Sequence, residues 1–292
     1  MISETSSGLP EVTGFFHEPT NTVSYVVADA AARRCAVIDP VLDYDGASGR
    51  TSDGFSEAMA DFIDDMGYGV DWVLETHVHA DHLAGDRFFA ERYGAPVCIG
   101  DQVGLVQETF NRIYNLADAP TDGTPFDRLF ADGETFDLGG LQGEVLFTPG
   151  HTPACVTYKI GDALFVGDLC FMPDYGTARC DFPGGDAGQL YRSIQKLFDL
   201  PRGTRFFTCH DYAPNGRAVA WESTVGEQQK SNIQVGEGSD EAAFAKARRK
   251  RDATLGMPAL ILPAIQVNMR AGYLPEPEEN GKPYLKIPLN RF

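Results

Sequence analysis

The sequence predicts an α/β protein built from two β-sheets with helices outside them. Strands and helices alternate through the first half of the chain, and from Thr135 the pattern changes to closely spaced strands. A helix marked by Leu190, Ile194, Leu197 and Phe198 then precedes one more strand.

The elements follow in order. Residues 23–28 and 35–39 are β-rich runs, the second ending at Pro40, and they have the pattern of a hairpin. Residues 43–54 are rich in Gly, Ser and Asp and predict a loop. Met59, Phe62, Ile63 and Met66 recur at helical spacing until Gly67 stops them. A strand at 70–77, a helix at 88–93 ended by Gly94 and a short strand at 96–100 continue the rhythm. Strands at 144–148, 154–159 and 163–166 are separated by Gly-containing turns. The helix of Leu190 ends before Pro201, and 205–209 is again β-rich. Residues 219–251 predict helix; 274–292, with Pro275, Pro277, Pro283 and Pro288, predict an extended surface segment. A single domain over 1–292 is expected, with a core at about 12–235 and a helical and extended C-terminal extension at about 236–292.

Composition narrows the function. Lys plus Arg is 24 against 42 for Asp plus Glu, a net charge of −18, which disfavours phosphate backbones and anionic lipid. Residues 1–70 carry 12 acidic and 3 basic side chains, whereas 241–292 carry 5 and 9, so an anionic small molecule needs local steering. Six cysteines without a CxxC pair, a start lacking a leader pattern and no run of 18 apolar residues predict a reduced, soluble, cytoplasmic protein.

Five of the six histidines, His77, His79, His82, His151 and His210, follow a predicted strand or sit in the turn after one; only His17 lies elsewhere. The segment Thr76-His-Val-His-Ala-Asp-His-Leu83 puts three imidazoles and the Asp81 carboxylate within six residues, a ligand density that suits a divalent metal.

Together HxHxDH at 77–82, Pro149-Gly-His-Thr152, Gly167-Asp168 and Cys209-His210 resemble the metallo-β-lactamase superfamily over about residues 20–235. That resemblance implies an αββα sandwich with ligands on loops at one edge. Carried over from its dinuclear hydrolases, one metal would take His77, His79 and His151, the other Asp81, His82 and His210, with Asp168 bridging. All seven positions are filled, so ligand presence leaves one metal or two open.

Gly176-Thr-Ala-Arg-Cys-Asp-Phe182, His210-Asp-Tyr212 and Asn268-Met-Arg-Ala-Gly272 resemble the persulfide dioxygenase branch. The insertion at 170–175 and the proline-rich tail depart from its shorter forms, as a bacterial subtype would. This branch implies one Fe(II) held by a facial triad, here His77, His151 and Asp168, with His79, Asp81, His82 and His210 as orienting groups. It implies oxidation of glutathione persulfide by O2 to sulfite and glutathione; the alternative is a two-zinc glutathione thioesterase of the glyoxalase II type. By the same resemblance Arg179 pairs with Asp181 or meets substrate charge, and Tyr212 donates to a metal-bound group. Arg217 and Arg270 are candidates for the glutathione carboxylates. Cys155, Cys170, Cys180 and Cys209 are expected as core filler and Lys246–Arg251 as a solvated helix end. A homodimer is the default expectation, and any sulfurtransferase partner would be a separate chain.

Overall fold

The computed structural model describes residues 8–117 and 119–291. Two six-stranded sheets stack face to face. The first has the order Glu11–His17, Thr22–Asp29, Arg34–Ile38, Gly69–Leu74, Val97–Gly100, Arg128–Phe130. Its first two pairings are antiparallel hairpins. The next three are parallel because the helices Gly54–Met66, Asp86–Tyr93 and Val103–Tyr114 cross between those strands. The second has the order Thr135–Leu138, Leu141–Phe147, Val156–Ile160, Ala163–Phe165, Arg205–Phe207, Glu222–Thr224, with its one parallel pairing spanned by the helix Ala187–Phe198.

Strand alternation places the core. Val23, Tyr25 and Val27 face the second sheet and pack with Phe136, Val145, Tyr158 and Phe165. Val26 and Ala28, one residue out of step, face Met59, Ile63, Phe89 and Phe110 beneath the outer helices. On the far side Leu164 and Phe206 meet Leu190, Ile194 and Leu197. The layers are thus helix, sheet, sheet, helix, the mixed α/β sandwich the sequence predicts.

Two expectations need correcting. Residues 43–54 are not a plain loop: Val41–Asp45 pairs with Arg50–Ser52 as a hairpin, and Val41–Asp45 also pairs with Leu83–Ala84. Nor is 219–251 one helix. Glu222–Thr224 completes the second sheet, Thr224 and Glu227 form a reciprocal capping box opening Val225–Ser231, and Asp240 caps Glu241–Asp252. Between them the Asn232 side-chain oxygen accepts from the backbone of Gln234 and Val235, a local turn that competes with helix.

The C-terminal stretch enters the core. In and after the helix Ile261–Asn268, Ile261, Ile265 and Met269 join the cluster of the first outer layer. The proline-rich segment lacks helix and strand over 274–291, and Gln266 exchanges hydrogen bonds with the backbone of Lys286 there. No helix among the described residues is long and apolar enough to cross a membrane. Residues 1–7, on which the leader-free expectation partly rests, lie outside the described residues.

Candidate metal centre

Four strands deliver the motif segments from their carboxyl ends. Gly69–Leu74 leads into His77, His79, Asp81 and His82; Leu141–Phe147 into His151; Ala163–Phe165 into Asp168; Arg205–Phe207 into His210. The sheets are tied together there, since the Val156 amide donates to the Thr76 carbonyl at 3.0 Å and the Tyr158 hydroxyl to that of Glu75 at 2.9 Å. Two glycines allow the loops to close in. At Gly167 (φ +52°) a Cβ would stand 2.4 Å from Thr76 Oγ1, and at Gly150 (φ +147°) 2.3 Å from the Leu190 backbone.

One donor atom each from His77, His151 and Asp168 falls within 4.8 Å of the others. Both imidazoles are anchored through Nδ1. That of His151 donates to the Arg179 carbonyl at 2.7 Å; that of His77 donates to Thr76 Oγ1 at 3.0 Å, whose hydroxyl in turn donates to Asp39 at 2.9 Å. Anchoring Nδ1–H leaves each Nε2 lone pair for a cation. His77 Nε2 and Asp168 Oδ1 are buried without a hydrogen-bond partner, so two nitrogens and a carboxylate fit a divalent metal. Burial, then the neighbouring imidazoles, hold His77 well below the usual histidine range and therefore neutral.

His79 takes a different position. Its Nε2 stands 3.2 Å from Asp39 and 3.3 Å from Glu75. Burial opposes a charge on His79, but Asp39 and Glu75 outweigh it and raise the imidazole well above its usual range. Beneath it Glu75 and Asp86 are both pushed up by burial, Asp86 also by Glu75, so the buried pair retains a proton.

A second set comprises His79, Asp81, His82 and His210, again within 4.8 Å. Asp81 lies 3.0 Å from His210 Nε2 and 3.4 Å from His82 Nδ1, and His210 Nε2 is 3.2 Å from Asp168. Although burial works against it, His210 and His82 keep the Asp81 carboxyl well below its usual range. Burial and His79 push His82 down to about 4.

A family model described as the metallo-β-lactamase superfamily matches residues 17–210. The chain belongs to that superfamily. A β-lactamase hydrolase-like protein of Xylella fastidiosa is 52% identical over 96% of this chain, which spans 65% of that relative's length. Glyoxylase B2 of Dictyostelium discoideum is 47% identical over 92% of this chain and 93% of its own. The mitochondrial persulfide dioxygenase ETHE1 of Bos taurus is 30% identical over 93% of each. Among solved structures, ETHE1 from Myxococcus xanthus superposes with a TM-score of 0.72 at 27% identity, over 90% of this chain and all of its own.

Within this superfamily member the C-terminal stretch supports the metal loop. Asn268 donates to the carbonyls of His79 at 2.9 Å and His82 at 2.7 Å, and accepts from the Ala84 amide at 2.8 Å, all buried. The sequence reading noted the Asn268–Gly272 segment but not this role.

The triad opens into a cavity of about 480 Å³ bounded by His151, Asp168, Tyr212, Phe171 and Phe182. Tyr212 stacks on Tyr175 at 4.8 Å between ring centroids. Although Tyr212 is 40% exposed, desolvation of its hydroxyl, with the Asp168 and Asp81 carboxylates nearby, raises the phenol above its usual range and keeps it protonated.

The arginines are redistributed. Arg179 lines the cavity, but its guanidinium is bound by Asp181 (2.6 and 2.7 Å) and by the Gly256 carbonyl (2.7 Å), so it fastens the loop whose backbone holds His151. Arg217 and Arg270, expected to hold the glutathione carboxylates, are not among the residues lining the metal cavity. Arg217 is clamped between Asp174 and Asp211, tying the 170–175 insertion to the 210–212 segment. Arg270 lines a separate cavity with Leu116, Pro125 and Tyr273. The solvated helix end holds for Lys246, Arg249, Lys250 and Arg251, which are exposed, whereas Arg248 is buried against Asp252; Arg248 and the exposed Arg251 both line the metal cavity. The cysteines are all buried and unpaired, and burial pushes the Cys155 thiol up to about 12, which suits core filler.

Proposed function

We propose that this superfamily member is an Fe(II) persulfide dioxygenase acting on glutathione persulfide. The observation that carries the reading is the three-donor set of His77, His151 and Asp168, with the His79 Nε2 lying instead against Asp39 and Glu75. A metal held by three protein groups would keep positions for exogenous ligands, and for this reaction those would be a sulfur and O2. Bound by His77, His151 and Asp168, iron supplies the redox chemistry that Zn(II) lacks. In the overall reaction glutathione persulfide, O2 and water give glutathione, sulfite and two protons, with four electrons passing from the persulfide to O2.

The chain's own residues contribute binding and orientation. Tyr212, kept protonated, lines the cavity with His151 and Asp168 and would donate to a group bound there. Phe171, Phe182 and Tyr175 exclude water around the reacting sulfur. Asp39, through Thr76, fixes the His77 ring.

A second reading, a two-metal hydrolase of thioesters, is favoured by the complete second set of His79, Asp81, His82 and His210. Metal analysis of freshly purified protein together with oxygen-electrode assays separates the two. The dioxygenase reading expects about one iron per chain and O2 uptake that depends on glutathione persulfide. Two zinc ions per chain, with thioester hydrolysis and no O2 uptake, would overturn it.

A further inference from the structure

The cationic groups around the metal cavity are three arginines, and two of them are already committed. Arg179 is bound by Asp181 and Arg248 by Asp252. Arg251, which lines the same cavity, makes no ion pair with any described carboxylate; its guanidinium donates to the Thr254 hydroxyl at 3.5 Å. The carboxylates that bound the cavity, Asp81 and Asp168, belong to the metal end. The chamber is therefore polarised, acidic where a metal sits and basic where the helix Glu241–Asp252 ends. Leu255, Pro258, Ala259 and Leu260 continue from that helix as an apolar wall.

We infer that Arg251 is a specificity-determining residue that binds a carboxylate of the thiol carrier while the carrier's sulfur reaches the triad. On a chain of net charge −18, an anionic ligand is repelled by the surface at large. A guanidinium without a carboxylate partner in the wall offsets that repulsion and offers paired N–H donors to a planar carboxylate. The wall beside it accommodates the apolar parts of the carrier. The choice of glutathione as carrier rests on the persulfide reading; the charge recognition holds equally for a glutathione thioester.

The test uses the metal-loaded protein and S-methylglutathione, a non-reacting probe, in titration calorimetry. Arg251→Ala is expected to weaken binding about tenfold or more, as the loss of a charge-assisted carboxylate contact does. Arg251→Lys should recover part of the loss, and Lys250→Ala, whose side chain does not line the cavity, should bind as the parent does. In the parent, S-methylglutathione diethyl ester should bind more weakly than the acid, and in Arg251→Ala the two should bind alike. Equal affinity of parent and Arg251→Ala for the acid, or no binding to the parent, refutes the assignment. Coenzyme A serves as the other anionic thiol; if it binds through Arg251 more tightly than S-methylglutathione, the carboxylate assignment is refuted in favour of a phosphate. Because the probe does not react, these results stand whether or not O2 uptake is found.

Discussion

Asn268→Ala removes three hydrogen bonds at once from the turn that carries three of the motif histidines. The side chain donates to the His79 and His82 carbonyls and accepts from the Ala84 amide, with every participant buried. At about 1 kcal/mol of net worth each, the direct loss is about 3 kcal/mol; orphaning buried carbonyls costs about 1–3 kcal/mol more where water cannot enter. The turn also orients Asp81 and His82 relative to the triad, and loss of such outer support typically lowers metal affinity by about 10- to 100-fold. Urea unfolding of the metal-free protein reads the first effect, and competition with a chromophoric chelator reads the second. Asn268→Asp is a demanding companion: it keeps the shape and the acceptor for Ala84 but sets a carboxylate against two carbonyls, so it should be at least as damaging. A stability change below about 0.5 kcal/mol with metal affinity within about twofold of the parent would refute the assignment of Asn268 as the support of this loop.

Asp168→Asn keeps the shape of the carboxylate but removes its charge, and should lose both metal and activity; retention of iron and parental rate would disprove the ligand assignment. His82→Ala should retain the triad metal by elemental analysis, whereas a two-metal enzyme would lose about half its metal. Arg179→Ala frees Asp181 and the Gly256 carbonyl and loosens the backbone that anchors His151, so metal affinity should fall; Arg179→Lys cannot restore both contacts to Asp181, and full affinity in either variant would contradict the positioning role. His82 titrates near 4 in the folded protein against about 6.5 unfolded. The unfolded chain thus binds the proton more readily as pH falls through 6.5, and stability is lost down to about pH 4, by about 3 kcal/mol at most. Urea midpoints of metal-free protein should therefore decline less steeply with acid in His82→Gln; parallel slopes would exclude His82 as the cause.

The metal ligands were legible in the sequence because strand ends and short spacing place them, and both are local properties. The strand at Thr22–Asp29 and the helix ended by Gly67 were legible for the same reason: alternation and a left-handed cap act within a few residues. The helix Val103–Tyr114 is legible too, since Val103, Val106, Phe110 and Tyr114 recur at helical spacing. The orientation of His79 was different in kind. It depends on Asp39 and Glu75, and Asp39 lies on the far side of a hairpin and a helix in the chain. Asn268 stands 186 residues from His82, a separation at which no periodicity carries information. The basic run 246–251 is an exposed helix end except at Arg248, whose burial against Asp252 no spacing in the run signals.

The cavity wall formed by Arg251 and residues 255–260 comes from a stretch of chain beyond the superfamily match at 17–210. The residues that gather at the metal site and those that form this part of the wall therefore lie in separate stretches of sequence. Side-chain exchanges between the helix Glu241–Asp252 and the helix Ile261–Asn268 change the cavity wall, and they leave the His151 anchor in place only where the Gly256 carbonyl stays on Arg179. On the reading proposed above, 251–260 is the segment to exchange, with Gly256 kept, when the specificity of this scaffold is to be changed.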